Sequence, residues 1–129
     1  MSKQATLADI IAKRKQGASD KLQVKYYDSE TLGMKIEIRK QSLQRYMELS
    51  EAMAEDDSNT IEEMNRMIYE YCPLFKTNTK EAMEVYGVAA PTDLPSAVLE
   101  DQLNEMNGII EIINSFYGVD KIDADEVKN

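Results

Sequence analysis

The sequence predicts an α+β fold that is predominantly helical, with about five helices and one N-terminal antiparallel β-hairpin. Three observations carry this. Apolar residues alternate with charged ones in two short runs over residues 21–39, the period of a half-buried strand. From Ser42 onward they recur every three or four residues, the period of an amphipathic helix. Residues that end helices, Pro73, Gly87 and Gly118, fall between the runs.

The first helix is predicted in "TLADIIAKRK", with Thr6 as N-cap, Asp9 three residues later, and Leu7, Ile10 and Ile11 at helical spacing. Lys13, Arg14 and Lys15 suit the last turn, where the helix dipole favours cations, and Gly17 stops it. In the hairpin, Leu22, Val24 and Tyr26 are expected on the inner face of the first strand, and Met34, Ile36 and Ile38 on that of the second. "YDSETLG" supplies the turn. Two strands alone are marginal in water, so the hairpin must pack on helices.

Leu43, Tyr46, Met47, Ser50 and Met53 define the next helix, which "EDDSN" interrupts. Thr60 and Glu63 form a second capping pattern before the stripe Ile61, Met64, Ile68 and Tyr71. Pro73 stops this helix. A short helix in "TKEAMEVYGV" has Thr79 as its cap, Met83 and Tyr86 inward, and Gly87 just past its end. A long helix is expected over residues 95–117. There Leu99, Leu103, Met106, Ile110, Ile113 and Tyr117 make a heptad-like seam that Ile109, Ile112 and Phe116 widen. Gly108 inside it permits another backbone to come close. Residues 1–118 then form one domain, and 119–129 a short acidic tail that frays.

The chain has 129 residues, no histidine, one cysteine and a net charge of −9. Without histidine there is no Ser-His-Asp or Cys-His arrangement and no histidine metal site. Cys72 precedes a proline at a helix C-terminus, where the dipole opposes a thiolate, so it is expected to be packing. The five glycines make no phosphate-cradling loop. "DKIDADEVK" has the alternating aspartates of a calcium loop but neither its glycine nor its final glutamate. The pairs Glu62/Glu63 and Asp56/Asp57 sit where nothing raises a carboxyl pKa. These absences point to a binding protein, with no enzyme activity and no cofactor or metal.

Residues 1–45 hold ten Lys and Arg against five Asp and Glu, a balance of +5, and the remainder hold five against nineteen, a balance of −14. Bulk nucleic-acid binding is disfavoured, since it needs a dominant basic surface. The split suits self-association through basic N-terminal and acidic C-terminal surfaces. No stretch has the length of a signal peptide's apolar region or of a membrane span, so the expected location is the cytoplasm. Methionines recur on the helical stripes, and methionine suits surfaces that accept irregular apolar partners. A groove for a partner's amphipathic helix is therefore expected from Met47, Met64, Met67, Leu99, Leu103, Met106, Ile110 and Ile113.

The order of parts also resembles a known family. A hairpin ending "MKIEIRKQSLQRYMEL" leads to a helix running into "IYEYCPLF", then "EVYGVAAPTDLPSAVL", then "EMNGIIEIINSFYG" and "EVKN". This is similar to the XkdN-like tail assembly chaperones of long-tailed bacteriophages, from about Leu7 to Asn129. The most family-like parts are the helix into Pro73, Tyr86 to Asp93, and the helix ending at Gly118. The resemblance implies a protein of the infected host's cytoplasm that binds the tape measure protein and keeps it soluble. It also implies recruitment of tail tube (major tail) protein and absence from the mature virion. In many relatives a programmed frameshift yields a longer product as well. The family carries no catalytic motif. The residues themselves leave other functions open: a head–tail connector or tail-completion protein, a small nucleic-acid-binding regulator using Lys13, Arg14, Lys15 and Lys21, or a coiled-coil adaptor on the Leu99–Tyr117 seam.

Overall fold

The computed structural model describes residues 4–16, 23–55 and 60–119, the side chains of Gln16 and Glu55 apart. The order of elements is α1 (Leu7–Gln16), β1 (Val24–Ser29), β2 (Met34–Arg39), α2 (Leu43–Glu55), α3 (Thr60–Tyr71), α4 (Thr79–Tyr86), α5 (Leu94–Val98) and α6 (Leu103–Ser115). Short 3-10 turns at Pro73–Lys76 and Pro91–Asp93 lead into α4 and α5. The predominantly helical α+β class with one antiparallel hairpin is what the sequence predicts. Leu22, Gly17 and residues 120–129, on which other expectations fell, lie outside the described residues.

Helix α3 is central. Helices α2, α5 and α6 pack on it, and the hairpin lies against α6. The core between them holds Ile36, Ile38, Leu49, Met64, Met67, Ile68, Tyr71, Cys72, Phe75, Leu94, Leu99, Met106, Ile109 and Ile113. Helix α1 contributes no side chain to it.

The hairpin corrects one expectation. Val24 pairs with Arg39, Tyr27 with Ile36 and Ser29 with Met34. Directly paired residues share a face, so Lys25, Tyr27 and Ser29 lie on the face of Ile36 and Ile38. Val24 and Tyr26 point the other way, and Tyr26 is exposed. The inner side chains of β1 have polar ends, and those of Lys25 and Ser29 are bonded. Lys25 Nζ donates to Ser115 Oγ at 2.6 Å and lies over the Phe116 ring. Ser29 Oγ donates to Glu105 Oε1 at 2.6 Å and accepts from the backbone N–H of Leu32 at 3.1 Å.

The predicted long helix over 95–117 is also corrected. It breaks at Leu99–Gln102, where Glu100 and Asp101 take left-handed φ values of 56° and 59°. Three bonds wrap this reversal: Glu100 N–H to Ala97 O at 3.1 Å, Asp101 N–H to Ser96 O at 2.8 Å, and Gln102 N–H to Leu99 O at 3.1 Å. Asn65 anchors it from α3 by accepting the Ser96 N–H at 2.8 Å and donating to Ser96 Oγ at 3.0 Å. The heptad spacing runs across the break, but Leu99 is fully buried while Leu103 is exposed.

Other ends follow the expected chemistry more closely. Thr6 Oγ1 accepts the Asp9 N–H at 3.2 Å. Gly87 closes α4 at φ 68°, its N–H on Met83 O. The N-cap position of α4 is Asn78, at φ 53°, rather than Thr79, which instead donates its hydroxyl to Phe75 O at 3.0 Å. Asparagine tolerates this left-handed conformation better than threonine.

Polar side chains fasten the helices. Arg45 of α2 grips both carboxylate oxygens of Glu70 on α3, which holds the Glu70 carboxyl below its ordinary pKa. Tyr117 stacks on Tyr46 at 4.1 Å. The Tyr117 hydroxyl donates to Gln41 O at 2.8 Å and accepts the Gln41 N–H at 3.1 Å. Since a phenol has one proton, the 2.7 Å contact between the Tyr71 and Tyr117 hydroxyls must be donated by Tyr71.

Candidate apolar docking groove

An open groove of about 460 Å³ lies between the hairpin tip, the first 3-10 turn, α4 and α5. Leu32 and Met34 form one wall, Ala82, Val85 and Tyr86 of α4 the other, and Leu74, Phe75, Leu94 and Val98 the floor and ends. Glu81 is the one charged residue in the lining, beside Thr77 and Asn78.

Local sequence explains the apolar wall. Helix α4 has no fully buried residue. Ala82 and Met83 pack against the core, while Val85 and Tyr86 are exposed on the outer side, so the helix is apolar on two faces. Val85 is 73% exposed and Met34 68% exposed, unusually bare for such side chains. Helix α4 starts from the left-handed Asn78 and packs against α5 and the 3-10 turn at Pro91–Asp93.

The opposite wall is held by a buried carboxylate. Glu105, in the first turn of α6, accepts Ser29 Oγ on one oxygen, and the Thr31 N–H at 2.9 Å and the Thr31 hydroxyl on the other. Burial alone would raise its pKa, but the bonds from Ser29 and Thr31 outweigh that and hold it below the ordinary carboxylate range. The hairpin tip is thus fastened to α6 beside the groove, so the Leu32–Met34 wall is formed before any ligand arrives.

Chemically the groove offers apolar contact and little else. Of its two hydroxyls, that of Thr77 is engaged with Leu74 O at 3.2 Å, and the other is the phenol of Tyr86. Cys72 lies beneath it, fully buried, with a thiol that burial pushes up to about 12 against a smaller opposing pull from Lys76. Among the described residues no group of three metal-ligating side chains occurs, and no helix is long and apolar enough to cross a membrane.

The eight residues expected to line a partner groove do not gather into one surface. Met64, Met67, Leu99, Met106 and Ile113 are core residues with at most 4% exposure. Met47 and Leu103 are exposed, at 46% and 50%, on different helices. Ile110 is half-buried and, with the edge of Met67, lines a smaller cleft of about 280 Å³ against Tyr46, Met53 and Asn114. A groove built on those eight side chains is therefore not on the surface of this conformation, because their regular spacing marks the face that the core needs. Sequence reasoning missed Met34, Leu74, Val85 and Tyr86. The available signal was an excess: "EAMEVY" holds more apolar residues than one buried face of so short a helix can use. Comparison with known protein families, with characterised proteins and with solved structures finds no match.

Proposed function

We propose that this protein is a tail assembly chaperone that binds an amphipathic segment of a tape measure protein in its exposed apolar groove. It keeps that long helical client soluble in the host cytoplasm, helps recruit tail tube subunits, and leaves before the virion matures. The carrying observation is the groove: bare apolar walls, one charge and no reactive group. Such a site fits the apolar face of a helix laid across it. The sequence resemblance supplies the identity of the client. Several copies along one client would each bind weakly and together bind tightly, by avidity. Growing tube could then displace them one at a time.

The test is co-expression of the tagged chain with the tape measure protein of the same genome. The client should become soluble and co-purify. The variants Val85→Asp and Met34→Asp change exposed side chains, so both should fold and yet lose most of the client. A client that stays insoluble beside abundant folded wild-type chain would refute the proposal. Full client recovery with both variants would remove the groove from it.

A further inference from the structure

The molecule carries a second unpartnered apolar surface, and it complements the groove. On α1, Leu7, Ile10 and Ile11 lie at i, i+3 and i+4 and therefore on one side. Leu7 is 74% exposed and the other two are at least half exposed. Lys13, Arg14 and Lys15 follow in the last turn. This is a short basic amphipathic helix, and its apolar side is exposed among the described residues. The groove is an apolar slot whose surroundings lean acidic. Glu81 lines it, Glu84 is on the same helix, and Glu100 and Asp101 continue from the Val98 wall. Of the nearby cations, Lys35 and Lys80 are exposed beside Met34 and Glu81, and Lys76 is drawn elsewhere, to Glu70 O at 3.2 Å and over the Tyr69 ring.

We propose that α1 of one copy docks in the groove of a second copy, joining chains head to tail. Helix and slot differ, so the contact is heterologous. Each bound copy offers a free groove at one end and a free α1 at the other, and the assembly grows. Chain geometry favours a second copy over the molecule's own groove. β1 begins at Val24, paired with Arg39, at the end of the hairpin away from Leu32 and Met34. Returning to the tip means retracing a strand about 17 Å long. The connection over residues 17–23 spans only about 24 Å when fully stretched. Docking in the same chain would use most of that reach merely to return along the strand, whereas docking in a neighbour does not require the return. Lined-up copies would also present a row of sites to one long client, which must displace each α1 in turn.

The inference rests on the same groove as the proposed function, but its main test needs no client. Sedimentation of the full chain would be followed over a concentration series at low and high salt. Wild type should rise in mass beyond a dimer as concentration increases, and less so at high salt. Chains with Ile10→Asp and Ile11→Asp together, or with Val85→Asp, should each stay monomeric and folded by circular dichroism. Mixed in equal amounts they should form dimers and nothing larger, because the pair retains one intact α1 and one intact groove that can meet. Wild type that remains monomeric near millimolar concentration overturns the proposal, as does a mixture that stays monomeric or grows past a dimer. If wild type is monomeric and the α1 variant recovers more client, α1 covers its own groove and the second copy is ruled out. Self-association without client solubilisation would sink only the chaperone function, and the converse only this inference.

Discussion

Gly108 lies in the middle of α6, where alanine would ordinarily be better by about 1 kcal/mol. The reason for glycine is Tyr27. A Cβ at position 108 would come within 2.6 Å of the Tyr27 ring, far inside contact distance. The sequence marked this glycine as a place of close approach, but what approaches is a side chain of the hairpin rather than a backbone. No periodicity within α6 could name a partner some eighty residues away. Gly108→Ala should therefore destabilise the fold by about 1–3 kcal/mol, the usual cost of overpacking. In a Tyr27→Ala background the same change should become neutral or slightly stabilising. Urea denaturation of the two single variants and the double variant measures this coupling. Additive effects would mean that the ring does not occupy the space glycine leaves.

At the scale of elements, the hairpin depends on α6 for its orientation. Its strands were legible from their alternation, and the inner face of β2 from Ile36 and Ile38. The inner face of β1 was not, because its contacts are polar-ended: Lys25 to Ser115, and Ser29 to Glu105. Hydropathy takes Val24 and Tyr26 as the buried pair, and only the register through the turn reverses that. The break between α5 and α6 was hidden similarly. Its left-handed residues are Glu100 and Asp101, neither a glycine, and the bonds that wrap them come from backbone. Glu105 is the residue on which the hairpin tip turns. Glu105→Gln keeps the shape but loses charge and turns one acceptor into a donor facing the hydroxyl or N–H donors of Ser29 and Thr31. It should cost about 1–3 kcal/mol at neutral pH. The folded pKa of Glu105 lies below its unfolded value. Its contribution is thus complete above the ordinary carboxylate value of about 4.3 and is lost as pH falls through the lower folded value. The gap between wild type and variant should accordingly shrink below about pH 4, as followed by thermal denaturation across pH. A gap that stays constant into acid would mean the charge of Glu105 does not matter.

Across the whole molecule, the candidate site was the least legible part, for a physical reason. Regular apolar spacing reports which side a helix buries, so the strongest stripes, Met64 with Met67 and Met106 with Ile113, became core. A docking surface consists of apolar residues left over once the core is filled, such as Val85, Met34 and Leu74. Recognising a surplus requires knowing how much the core takes. Helix α1 makes the same point from the other direction. Its stripe of Leu7, Ile10 and Ile11 obeys the pattern, yet none of the three enters the core. The fold from β1 onward should therefore stand without it. Removing residues 1–16 should shift unfolding stability by no more than about 0.5 kcal/mol, the range expected of changes away from packed features. The denaturant slope should fall only slightly, because the slope follows the surface that unfolding exposes. The measurement belongs at micromolar concentration or below, where association between copies adds little to apparent stability. A truncated chain that loses cooperative unfolding would show that α1 is part of the folding unit. A truncated chain of unchanged stability that no longer self-associates would separate the two roles, with the core on one side and the connecting helix on the other.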